Sequence, residues 1–168
     1  MSRLPGRATD TQPLEPLEYR LVMAKLPKHW QIFYELMWQT GARVGEVLRL
    51  SKRDVENTGV WITSEKRSDT LREFVPLTPD FYRTLQDLAD KRREAHLFPY
   101  TPQAAWLALR KAGKDAGVRT GTIHSNLIIS PERRLSKRVS RLKRRHYIKP
   151  TIAEVRDAFS NVNKGSQT

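Results

Sequence analysis

Two β-rich runs in a chain otherwise patterned for helix constrain the fold most. GVWITS (residues 59–64) and LREFVPL (71–77) flank the polar stretch EKRSDT (65–70). Branched and aromatic residues bounded by a polar turn read as a hairpin. Around it, residues 16–26 and 28–40 predict two helices, with Trp30, Phe33, Leu36 and Met37 as an apolar stripe on the second. Gly41 reads as a left-handed cap, and residues 42–50 as a short helix burying Val44, Val47 and Leu48. Thr78 and Pro79 open another helix; Thr101 and Pro102 open a further one that Gly117 closes. The expected class is mainly α with a small β-hairpin, α+β.

Charge comes next. The chain holds 31 Lys and Arg against 18 Asp and Glu, a formal +13. That is the electrostatic footprint of a nucleic-acid binder, although ribosomal and membrane-surface proteins share it. Residues 131–149 carry nine Lys/Arg against one acid, a net +8. Ser130, Pro131 and Glu132 make a helix start there, and Leu135, Val139 and Leu142 fall on one face. Arg133, Arg134, Lys137, Arg138, Arg141, Lys143, Arg144 and Arg145 cover the remainder and are candidate DNA contacts. Thr151 and Glu154 form a capping box for a terminal helix over 151–160, lined by Ile152, Val155, Ala158 and Phe159.

Residues 1–13 read as a flexible lead and 161–168 as a tail, with one domain over 14–160 between them. The absence of cysteine excludes disulfides and thiolate metal sites and points to the cytoplasm. No apolar stretch approaches the length of a membrane span, and the first residues lack a signal-peptide core.

In TGARVGEVLRL (40–50), Arg43 follows a helix-breaking glycine by two residues. Spacing alone makes it a partner for Glu46 on a solvated face. The longer stretches say more. ELMWQTGARVGEVLRLSKRDV (35–55), WITSEKRSDTLREFVPLT (61–78) and HLFPYTPQAAWLALRKAGKDAGV (96–118) occur in that order. Together they resemble the catalytic domain of tyrosine recombinases (phage integrases and plasmid resolvases), over residues 14 to about 123.

The resemblance implies an enzyme in which a tyrosine oxygen attacks a DNA phosphate and stays joined to the 3′ side of the break. Charge grows on the non-bridging oxygens, so preplaced guanidinium groups are required. It makes Arg43 the first phosphate-clamping arginine and Glu46 its supporting carboxylate. Lys66, with Arg67 as its nearest substitute, becomes the donor that protonates the departing 5′ oxygen. Tyr147, in HYIKPTIAEVRDAF, becomes the nucleophile. No metal or other cofactor is implied. The implied partner is double-stranded DNA, with four subunits on two sites inside a bacterial cytoplasm.

The family next expects a histidine, two residues, then an arginine opening a helix. In TIHSNLIISPERR (122–134), His124 sets Leu127 at the arginine position, and a shift by two sets Asn126 and Ile129 as the pair. His124 stays the candidate histidine, with Arg133 or Arg134 as the nearest replacement arginine. The short interval from 124 to 147 predicts a rearranged or out-of-frame segment and a damaged site. Two readings follow, a site-specific recombinase and a non-catalytic DNA-binding relative. A third, a basic helix lying on anionic membrane or RNA, suits the narrow apolar face of 131–149 poorly. A chain starting so near the catalytic domain is expected to grip DNA weakly and in a salt-sensitive way.

Overall fold

A computed structural model describes residues 13–66, 69–120, 128–145, 153, 156 and 157. The elements are α1 (Pro16–Met23), α2 (Lys28–Thr40), α3 (Val44–Leu48), a 3-10 turn (Lys52–Asp54), β1 (Val55–Glu56), β2 (Gly59–Lys66), β3 (Asp69–Pro76), α4 (Pro79–Lys91), α5 (Pro102–Ala116) and α6 (Pro131–Arg145). The class is the expected one, mostly helical with a small antiparallel sheet.

The sheet has three strands rather than two, in the order β1–β2–β3. Asn57 (φ 53°) and Thr58 (φ 59°) both sit in the left-handed region and turn the chain tightly between β1 and β2. The β2–β3 register pairs Val60 with Val75, Trp61 with Phe74 and Ile62 with Glu73. Side chains alternate across a strand, so Leu71, Glu73 and Val75 share the face of Val60 and Ile62. That face meets the core: Val60, Ile62 and Val75 are buried. On the other face Arg72 lies over the Trp61 ring, 4.9 Å from its centroid, and pairs with Asp54 at 3.2 Å.

The core is built on α2, whose Phe33, Tyr34, Leu36 and Met37 are sealed from solvent. Each such side chain contributes about 1.5–3 kcal/mol by leaving water. The Tyr34 hydroxyl donates to the Ala105 carbonyl and ties α2 to α5. Phe33 packs edge-on against Phe98 at 5.3 Å, and Leu97 N–H reaches the Leu50 carbonyl at 3.1 Å. The HLF stretch is thereby held beside the end of α3.

Two helix boundaries and one helix face differ from expectation. α1 stops at Met23, not Leu26, because the chain beyond it tightens into i→i+3 bonds, Lys25 N–H to Val22 O at 3.0 Å and Leu26 N–H to Met23 O at 3.1 Å, ahead of Pro27. α3 begins at Val44, since Arg43 is extended (ψ 157°); of its apolar residues only Val47 is fully buried, with Val44 and Leu48 half-buried. On α6 the expected apolar face is not the packed one: Leu135 is exposed, whereas Arg133 and Ser136 are buried. Of the expected terminal helix, residues 153, 156 and 157 are helical and exposed; the rest lies outside the described residues.

Candidate functional site

The site grows from the Thr40–Gly41 turn. A helix end leaves its last carbonyls without partners, and the chain must supply them. The Thr40 hydroxyl donates to the Leu36 carbonyl at 2.6 Å and accepts the Ala42 N–H at 3.1 Å. Gly41, at φ 65°, returns its N–H to the Met37 carbonyl at 2.6 Å. Three further carbonyls take donors from α6 and the residue before it, far along the chain. Ser130 N–H donates to the Trp38 carbonyl at 2.8 Å, Arg133 Nε to Thr40 O, and Lys137 Nζ to Gly41 O. Two cations therefore close the negative end of the α2 dipole.

Glycine is needed at residue 41 for two reasons. Its left-handed backbone costs any other residue about 1–2 kcal/mol. A Cβ there would also stand 2.8 Å from Ile129 Cδ1 and 3.0 Å from Lys137 Cε. Gly41→Ala is expected to lower stability by about 2 kcal/mol. Urea unfolding checks this, through a lower midpoint at unchanged slope.

This turn presents Arg43. Its backbone is extended at the cap of α3, its N–H donates to Glu46 Oε2 at 2.8 Å, and its side chain is exposed. Glu46 is 9% exposed, so its carboxylate is held behind the turn while the guanidinium faces solvent. Behind them lies Arg133, 1% exposed, with Nη2 2.9 Å from Glu73 Oε1 and Nη1 3.2 Å from Ser136 Oγ. Lys137 completes the group. Burial and the Arg133 charge pull its ammonium down from the ordinary 10.5 to about 8, Arg43 adds to the fall, and Glu46 and Glu73 oppose it.

The sequence candidates thus divide. Arg43, Glu46, Arg133 and Lys137 gather at one turn, and Arg134 is half-buried beside them on α6. Lys66 is expected in the turn but is the last residue of β2, paired with Asp69 of β3, so the strands run further into the polar stretch than its composition suggests. Arg138, Arg141, Lys143, Arg144 and Arg145 lie on α6, their side chains outside the described residues. Arg67, His124 and Tyr147 fall outside them altogether. Of the other tyrosines, Tyr19 and Tyr34 are buried and their phenols are held well above the usual range, which unsuits them as nucleophiles. No group of three or more metal-ligating side chains gathers among the described residues, and no helix among them is long and apolar enough to cross a membrane.

Two features escaped sequence reasoning. One is Glu73, a half-buried carboxylate in the inward register between Leu71 and Val75 that pairs with Arg133. The other is the spacing of Ser130 and Arg133. The helix α6 opens at Pro131, so these residues stand at its start with two residues between them. Anchoring the motif on His124 hid this spacing.

The family model described as the phage integrase family matches residues 14–128. No curated protein matches the chain. Among solved structures, a lambda integrase dimer bound to a COC′ core site is similar in fold, with TM-score 0.54 and 14% identity. The match covers 88% of this chain and 47% of that one, so the chain spans about half the length of that integrase. By the family match over most of its length and by its fold, the chain belongs to the phage integrase family of tyrosine recombinases and has the architecture of their catalytic domain.

Proposed function

We propose that the chain binds duplex DNA and takes part in site-specific recombination, breaking and rejoining strands through a 3′-phosphotyrosyl link. The observation that carries this reading is the exposed Arg43 guanidinium on a turn held by hydrogen bonds through Thr40, Gly41, Glu46, Arg133 and Lys137. A guanidinium so presented costs no reorganisation when phosphate arrives. Glu46 orients the turn, Lys66 at the hairpin tip supplies the proton to the 5′ oxygen, and Tyr147 is the nucleophile. The basic helix α6 contacts backbone phosphates, and four copies work on two sites of a phage, plasmid or other mobile element in the bacterial cytoplasm. The similar integrase structure, itself bound to DNA, supports the choice of partner.

A second reading rests on Arg133. Its guanidinium is sealed by Thr40, Ser136 and Glu73, which leaves it engaged within the protein. A domain in that state would bind and occupy recombination sites without cutting them.

Covalent trapping separates the two. Wild type and Tyr147→Phe are incubated with nicked duplexes from DNA flanking the gene and run on a denaturing gel. The expected result is a slow-migrating adduct with wild type alone. Retained binding with no adduct from either protein would establish the second reading instead.

A further inference from the structure

We propose that Lys137 is the second cation of the phosphate site that Arg43 opens: its ammonium, lodged on the Gly41 carbonyl, serves the same DNA phosphate as the Arg43 guanidinium. The inference rests on the DNA-binding reading above and assigns a partner to that site.

Three observations carry it. First, Lys137 Nζ is bonded to the residue two before Arg43, on the turn that presents Arg43. Gly41 leaves just enough room for it, since a Cβ there would stand 3.1 Å from Nζ. Secondly, the neighbouring start of α6 offers the site no charge through Ser130. That serine is 6% exposed, and its hydroxyl is spent capping α6 through the Arg133 N–H at 3.1 Å. Thirdly, the lysine is an expensive choice for packing alone. Around it stand Arg43 and Glu46 from the turn and α3, Glu73 from β3, and Arg133 from its own helix. Burial and the arginines outweigh the two carboxylates, so its charge is held at a cost to the fold. An anion beside Arg43 would remove that cost.

The sign of the linkage makes this testable. Below pH 8 the folded and unfolded chains both hold the proton. As pH rises from about 8 towards 10.5 the folded chain releases it first, so stability rises across that window. A bound phosphate pulls the other way and restores the proton.

The experiment is calorimetric titration of a short duplex into the full chain at pH 8, in buffers of different ionisation enthalpy, with melting temperatures taken alongside. Wild type is expected to take up about half a proton beyond the uptake of Lys137→Met. Lys137→Met is expected to melt no lower than wild type at pH 7, yet bind more weakly, with a salt slope smaller by about 1. Lys137→Arg should recover the salt slope without proton uptake, because guanidinium does not titrate here. Equal affinity and equal uptake in wild type and Lys137→Met, with duplex binding intact, would overturn the assignment of Lys137 alone. Absence of duplex binding by wild type would overturn the DNA-binding reading and this inference with it.

Discussion

Replacing Arg133 by alanine is expected to cost about 3 kcal/mol or more, the largest stability loss of any single exposed-looking cation in the sequence. Three losses combine. The Thr40 carbonyl at the end of α2 loses its donor, and Glu73 loses its partner. A cavity also opens where a large, fully buried side chain stood. Glu73 is 41% exposed and can rehydrate, which keeps the figure at the lower end for a broken buried pair. Against a total stability of roughly 5–15 kcal/mol the change is severe. Arg133→Met keeps most of the volume and isolates the charge and hydrogen-bond share. Guanidinium unfolding of the two variants is the measurement. A midpoint for Arg133→Ala within error of wild type would show that α6 does not dock on α2 as described.

The contrasting prediction concerns Arg43. Arg43→Ala is expected to leave the unfolding midpoint almost unchanged, because the side chain is exposed and its tie to Glu46 runs through the backbone N–H, which alanine retains. Cleavage, if a covalent adduct forms, should fall by about 10²–10³-fold, the loss typical of one preplaced donor to a developing oxyanion. Nonspecific DNA affinity should fall little, since one phosphate contact among many is removed. A quantitative adduct assay beside a filter-binding titration reads both. Adduct formation surviving in Arg43→Ala would remove Arg43 from the clamp. Together the two variants distinguish an arginine that holds the protein together from one that serves the DNA.

Much of the fold was legible because its signals are local. Gly41 and Gly117 are left-handed caps as read, and Thr101 caps α5 through the Ala104 N–H at 3.1 Å. The hairpin register follows from period-two alternation. β1 escaped because it is two residues long and its turn is Asn57–Thr58, where a β-branched residue takes the left-handed conformation that glycine usually signals. The exposed place of Arg43 after the Gly41 turn was legible locally, whereas Lys66, expected in the hairpin turn, ends β2 instead.

Helix α6 marks the limit. Its start at Ser130–Pro131 was readable, and its charge density suggested a solvated surface with Leu135 facing inward. The structure turns the helix the other way, with Arg133 and Ser136 inward and Leu135 in solvent. The cause lies elsewhere in the chain: Glu73 pairs with Arg133, and the Thr40 and Gly41 carbonyls ending α2 take donors from Arg133 and Lys137. Those carbonyl bonds join residues 93 and 96 apart in sequence. Local patterning of side chains therefore determined the elements, the turn and the exposed arginine. The burial of Arg133 and the perturbed Lys137 were decided by tertiary structure alone, because partners so distant leave no periodic trace in either segment.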